Sequence, residues 1–239
     1  MAQKLVDYPS SDSDSSDGRR SSDGGSSSRN WGYCSAEQDL GHVRGGWAGH
    51  IGLAIAGQSK QRLHAVGSAC MAAICSRSDD GDSVELVGEV LPEPHISLTR
   101  AFYLQEHQIG GFMRALEAEM RGVSELSVGF GGLSVYTNER RDRGFASVDV
   151  AYGVDGVRQV LERVDRVMER FGKARFFADA RFHASVVRLR AADGGMCMVQ
   201  RAAGRLGAID EEILRLPAAR IDTVECVFGD RRFYIALDR

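Results

Sequence analysis

Six histidines occur in the chain, and two of them share a setting that the others lack. His95 lies in HISLT and His183 in FHASVVRL, and each is followed two positions later by a serine, Ser97 or Ser185, inside a short run of strand character. Side chains alternate between faces along a β-strand. His95 and Ser97 therefore point one way while Ile96 and Leu98 point into a core. His183 and Ser185 likewise stand opposite Phe182, Ala184 and Val186. An imidazole titrates near pH 6.5, so one such ring can take a proton at neutral pH while a second, protonated ring supplies one. The hydroxyl beside each ring can donate to phosphate oxygens. This set suits cleavage of RNA by its own ribose: a base for the 2′-OH, an acid for the departing 5′-oxygen and donors for the phosphate between them. Such chemistry requires no metal and no cofactor. One His-x-Ser tripeptide is expected by chance in a serine-rich chain, so the weight lies in two matching strand contexts at corresponding places of the two halves.

The elements that must carry these strands are legible from periodicity. Trp47 to Ala56 (WAGHIGLAIA), Val84 to Val90 and His95 to Thr99 read as strands. Gln108 to Arg121 then places Ile109, Phe112, Met113, Leu116 and Met120 on one helical face. Leu126 to Thr137 and Phe145 to Tyr152 return to strand character around the turn NERRDRG, a hairpin signal. Val154 to Phe171 is an amphipathic helix that ends at Gly172. Phe182 to Leu189 is the next buried strand, Asp210 to Leu216 a short helix, and Ile221 to Phe228 with Phe233 to Leu237 a hairpin around GDRR. The order predicts an α+β chain of two similar lobes of antiparallel sheet with flanking helices. If the lobes pair about a pseudo-twofold, each gives one His-x-Ser strand to a central cleft.

The whole chain bounds the remaining possibilities. At 239 residues, 43% hydrophobic and 26% charged, it is long enough for a proper core. No apolar run approaches the roughly 20 residues of a membrane span, and MAQKLVDYPSSDSD lacks the order of a signal peptide, so no membrane partner is expected and the chain is placed in the cytosol or nucleus. The five cysteines are odd in number and scattered without a CxxC pair, so reduced thiols and no structural metal are expected. A net charge of −3 does not announce a protein that coats duplex nucleic acid wholesale, and any RNA must be gripped locally. Ser10 to Arg29 (SSDSDSSDGRRSSDGGSSSR) has nothing apolar to bury. Residues 1–40 are therefore expected to be a disordered Ser/Asp-rich tail, and residues 41–239 the two-lobed domain.

Longer segments carry a resemblance. HVRGGWAGHI at His42, HISLTR at His95, VYTNERRDRGFASVDV at Val135, VDRVMERFGKARFFADARFHASV at Val164, CVFGDRRFYIAL at Cys226 and the opening LVDYPSSDSD resemble the U6 small nuclear RNA phosphodiesterase family of the two-histidine phosphoesterase superfamily. The resemblance covers nearly the whole chain apart from about Gly57 to Val84. It implies a nuclear, monomeric, metal-independent 3′–5′ exoribonuclease that trims the oligouridine tail of U6 small nuclear RNA by 2′-OH attack. The product would be a 2′,3′-cyclic phosphate that some members open further, and the partner single-stranded RNA with no obligate protein. By resemblance His95 and His183 are the acid/base pair and Ser97 and Ser185 the phosphate-binding hydroxyls. Phe177 stands where the family has a base-stacking tyrosine, Asp179 and Arg181 line the same pocket, and Asn138 and Glu139 flank it. Two departures bear on base preference: Phe177 keeps a stacking face without a hydroxyl, and ADAR at Ala178 to Arg181 replaces an Asp-Pro-Ser. Arg140, Arg141 and Arg143 fit either a solvated hairpin tip or RNA-backbone contacts, and Trp47 and His50 in GGWAGHIG could approach RNA, though alternation favours a core tryptophan. The rival readings are another two-histidine enzyme, acting on 2′,3′-cyclic phosphates or 2′–5′ linkages, and a catalytically idle RNA-end-binding protein.

Overall fold

The computed structural model describes residues 5–6, 45–75, 86–138, 143–191, 203–206, 209 and 215–239. The elements run β1 (Leu5–Val6), β2 (Gly46–Ala54), α1 (Gly57–Cys75), β3 (Leu86–Val90), β4 (His95–Ser97), β5 (Phe102–Gln105), α2 (Glu106–Met120), β6 (Leu126–Thr137), β7 (Arg143–Tyr152), α3 (Val154–Arg170), β8 (His183–Ala191), β9 (Ala219–Ile221), β10 (Thr223–Phe228) and β11 (Arg231–Ala236). The strands form one curled sheet in the order β1-β6-β7-β8-β4-β2-β10-β11, with β3 beside β8, β5 beside β2 and β9 beside β6. β1 joins β6 in parallel, and the other pairings are antiparallel. One half, β4, β2, β10 and β11, meets the other, β8, β7 and β6, where β4 pairs with β8. The fold is thus the α+β one that the alternation of periods implies. Leu5–Val6 of β1 falls inside the segment expected to be a tail, whose Ser10 to Arg29 tract lies outside the described residues. So does most of the expected Asp210 to Leu216 helix.

Apolar alternation builds the core. Ile96, Leu98, Ala184 and Val186 of the His-x-Ser strands are buried in one cluster with Phe112, Leu116, Val160, Val164 and Phe228. Helices α2 and α3 pack on each other and against β5 and β6, and Phe112 lies edge-on to both Phe171 and Phe228. All five apolar residues expected on α2 are buried, and the side chain of Gln108 accepts the Gln105 N–H at its start (2.9 Å). β4 and β5 follow one another along β2, where Ala54 faces His95 and Gly46 faces Gln105. In the interruption Leu98 N–H donates to Ile51 O and Thr99 Oγ1 accepts the Ile51 N–H (2.9 Å). Neither β5 nor helix α1 is evident from periodicity. The buried face of α1, Leu63, Val66, Gly67, Cys70 and Ile74, does recur at helical spacing, but Gly67 and the small residues around it give it little apolar contrast. Among the described residues no helix is long and apolar enough to cross a membrane.

Gly67 is what lets α1 lie on the sheet. A Cβ there would stand 2.8 Å from the Val186 carbonyl oxygen and 2.9 Å from Val90 Cγ1. Glycine to alanine inside a helix is ordinarily stabilising by about 1 kcal/mol. At this position the backbone of β8 stands in the way, so the sign should reverse: Gly67→Ala is expected to lower the urea midpoint of unfolding.

Candidate active site

β4 and β8 are adjacent and antiparallel, with Ile96 opposite Ala184. Both of these residues are fully buried, while His95, Ser97, His183 and Ser185 are half-buried on the other face. One step either side of that pair, the register brings His95 across from Ser185 and Ser97 across from His183. The two imidazoles then lie on a diagonal of the ladder, where neighbours are about 7–8 Å apart and their Cβ atoms somewhat closer. The four residues singled out by their tripeptides are therefore brought together.

Both rings are oriented in the same manner. His95 Nδ1 donates to the Glu93 carbonyl (3.1 Å) and His183 Nδ1 to the Arg181 carbonyl (2.9 Å). A carbonyl oxygen only accepts, so Nδ1 carries the proton and Nε2, on the far side of the ring, is the basic nitrogen in the neutral state. The Glu93 side chain is in turn held by Lys60 Nζ of α1 (2.6 Å). Beneath His95, Gly52 leaves room for the ring, because a Cβ there would lie 2.9 Å from His95 Cδ2.

The neighbours of the two rings differ. Tyr136 of β6 stacks on His183 with ring centroids 3.8 Å apart and planes inclined by 14°. Its hydroxyl donates to Asp149 Oδ1 (2.6 Å), and Ser134 Oγ donates to Asp149 Oδ2 (2.5 Å). Ser185 Oγ shares a hydrogen bond of 3.0 Å with Ser147 Oγ of β7. His95 instead lies 5.2 Å from the ring of His50 of β2. Burial, and then the charge of His95, push His50 down to about 3, so this ring is neutral at any working pH. Burial also carries His183 below the ordinary histidine value, opposed by the Arg181 carbonyl and the Asp149 carboxylate.

Phe177 is half-buried, with the Arg100 guanidinium carbon 4.0 Å above its ring and Phe176 edge-on to it. Asp165 of α3 anchors this segment by accepting the Phe176 N–H (2.9 Å); burial pushes its carboxyl above the usual range, against that hydrogen bond and Arg175. Asp179 and Arg181 are exposed on the same segment. Asn138 Oδ1 accepts the Arg143 N–H (3.1 Å) and closes the β6–β7 hairpin. Glu139, Arg140 and Arg141 lie outside the described residues, and Arg143 is buried. Trp47 packs against the core with Arg231 4.2 Å above its ring. Among the described residues no group of three or more His, Cys, Asp or Glu is placed to hold a metal ion.

A family model described as an uncharacterised conserved protein, HVSL, matches residues 8–230. The chain belongs to the HVSL family. Similar proteins include U6 snRNA phosphodiesterase 1 of Drosophila melanogaster, 36% identical over 95 residues that make up 39% of this chain and 36% of that one. U6 snRNA phosphodiesterase 1 of Homo sapiens is 29% identical over 147 residues, 60% of this chain and 55% of its own. In both cases the chain spans less than two thirds of the relative's length. The structure of Kluyveromyces marxianus Usb1 with uridine monophosphate matches with a TM-score of 0.56 at 18% identity, over 80% of this chain and 98% of that one. That likeness is one of fold, and this HVSL protein shares the architecture of Usb1.

Tyr136, Asp149, Ser134, Ser147 and Arg100 surround the site without having been singled out from their types, whereas His50 was read beside Trp47 as able to approach RNA. A signal for four of them was present: LSVYT and ASVDV alternate apolar side chains with Ser134, Tyr136, Ser147 and Asp149, as HIS and HAS alternate theirs, although all but Asp149 of the four are themselves buried.

The clearance at Gly52 makes the His95 pose testable without substrate. Gly52→Ala is expected to displace the His95 imidazole, read as a change in its NMR resonances, while those of His183 stay near their original positions.

Proposed function

We propose that this protein is a metal-independent 3′–5′ exoribonuclease that trims the oligouridine 3′ end of U6 small nuclear RNA, acting as a monomer in the nucleus. The observation that carries the reading is the pair of imidazoles on one face of β4 and β8, each with Nδ1 tied to a carbonyl two residues earlier and each next but one to a serine. The names of its relatives, which specify a phosphodiesterase and U6 snRNA, give the substrate class.

In the proposed reaction His183 Nε2 takes the proton of the penultimate ribose 2′-OH, and the 2′-oxygen attacks the phosphorus of the last linkage. The bond from phosphorus to the 5′-oxygen of the terminal nucleoside breaks, and His95, protonated, gives that oxygen its proton. A nucleoside leaves, and the shortened RNA ends in a 2′,3′-cyclic phosphate. Ser97 and Ser185 donate to the non-bridging oxygens. Phe177, packed against Arg100, is assigned to the terminal base, with Asp179 and Arg181 exposed on the same segment and Asn138 assigned to contact it. His183 is given the base role because it adjoins the segment that presents Phe177 and because an imidazole depressed by burial is already neutral at pH 7.

Oligouridine-tailed RNA should be shortened in the presence of EDTA, and the same RNA deoxy at the penultimate ribose should not. Cutting of the deoxy substrate, or loss of activity with chelator, would falsify the mechanism. His95→Ala and His183→Ala should each slow cleavage by about 10²-fold or more. Sulfur in place of the 5′-bridging oxygen needs no proton to leave, so it should rescue His95→Ala and not His183→Ala. The rate should follow a bell in pH whose acidic limb falls below the ordinary histidine value of about 6.5: a base with a lowered pKa stays unprotonated to lower pH, and activity is lost only below it. Phe177→Ala should weaken RNA binding by about 1–3 kcal/mol with little change in melting temperature; a large fall in melting temperature with unchanged binding would make Phe177 a core residue instead.

A further inference from the structure

The backbone treats the two catalytic strands alike, but their ladders do not. Across β8 the residue opposite His183 is Asp149, and opposite Ser185 is Ser147. Across β2 the corresponding residue opposite His95 is Ala54, and opposite Ser97 is Gly52. A carboxylate therefore stands beside one histidine and a methyl group beside the other. Opposite residues in an antiparallel pair have Cβ atoms about 4.5–5.5 Å apart, close enough for a carboxylate to act on the neighbouring ring.

We propose that Asp149 is the positioning residue that makes the two histidines unequal, by holding Tyr136 flat against the His183 ring and by setting a carboxylate across the ladder from that imidazole where Ala54 stands across from His95. The proposal rests on the two-histidine reading of the site and adds what divides the roles. Both Asp149 oxygens are engaged, one by Tyr136 Oη and one by Ser134 Oγ, so the side chain is clamped from β6 and has little freedom to turn away. Tyr136 is buried and parallel to the imidazole, so the clamp on its hydroxyl also sets the plane of the His183 ring. The ring is then held from two sides, by the Arg181 carbonyl at Nδ1 and by the tyrosine face.

A general base becomes a cation in the transition state, and burial makes that cation costly. The groups around His183 are Asp149 of β7, Tyr136 of β6, His95 of β4 with the neutral His50 behind it, and Arg181 of its own segment. Among these, Asp149 is the one whose charge favours the imidazolium at His183, whereas His95 disfavours it. His95, the proposed acid, starts as the cation and ends neutral, so a carboxylate beside it would hold back the proton it has to give. The asymmetry of the ladders matches the asymmetry of the reaction.

The test uses Asp149→Asn, which keeps the shape and lets the amide oxygen accept from Tyr136 while its NH₂ meets Ser134. The His183 imidazole is titrated by NMR in the free protein, and the pH–rate profile on oligouridine-tailed RNA is measured beside it. The His183 titration should move down by about one unit or more, the acidic limb of the rate profile should move with it, and kcat should fall at least tenfold with KM changed less than threefold. Tyr136→Phe, which keeps the stacked ring and drops the hydroxyl, should give a smaller shift in the same direction. An unmoved His183 titration in folded Asp149→Asn overturns the proposal, whether or not RNA is the substrate. A moved titration with an unchanged rate also overturns it, because Asp149 then tunes a ring that does not limit cleavage. Full activity of His183→Ala would instead remove the two-histidine reading on which it rests, an outcome the substrate-free titration keeps separate.

Discussion

The pairing of β4 with β8 at Ile96 and Ala184 is the constraint on which the site depends. Strand side chains repeat with a period of two, so a slip of one residue would send His95 and Ser97 into the core and bring Ile96 and Leu98 to the surface. Full burial of Ile96 and Ala184 resists that slip, because moving them would expose apolar surface and bury polar groups without partners. The supports on either side are close-packed. Gly67 lets α1 press on the backbone of Val186, and Gly52 lets the His95 ring lie over β2. The site is precise because rigid elements, rather than loops, carry its four central residues.

Electrostatics then separates what the backbone makes alike. Burial depresses both His50 and His183, yet the two rings meet different company. His50 adjoins His95, where its neutrality avoids a second cation. His183 has a stacked phenol, a carbonyl and a carboxylate around it, and the last two counter part of the cost of charging a buried ring. The result is a pair of histidines in equivalent frames with unequal neighbours, which the proposed reaction, with one acid and one base, requires.

The segment between α3 and β8 follows a different logic. It has no regular structure from 171 to 182, and yet it presents Phe177 and supplies the carbonyl that orients His183. Its anchor is Asp165, a carboxyl on the buried side of α3 that accepts a backbone N–H, together with the Arg100 guanidinium that reaches Phe177 from the interruption between β4 and β5. A core helix and a break in a strand thus hold the surface on which a base would stack.

By itself the amino-acid sequence determined the elements and their faces. The alternation in HISLT and FHASV, the five-residue face of α2 and the amphipathic stretch from Val154 to Phe171 are local patterns, and each appears in the structure with its buried and exposed sides as read. Helix α1 and strand β5 escaped because their local patterns are weak: α1 buries a glycine and small residues, and β5 is short and joined to β4 through an irregular stretch. The strand order is another matter. That β8 lies between β4 and β7, that Asp149 faces His183 while Ala54 faces His95, and that Arg100 meets Phe177 all follow from contacts between residues far apart in the chain. Such contacts depend on how the sheet curls and which edges meet. Local periodicity says which way a side chain points along its own strand, and only the tertiary structure decides what stands across from it.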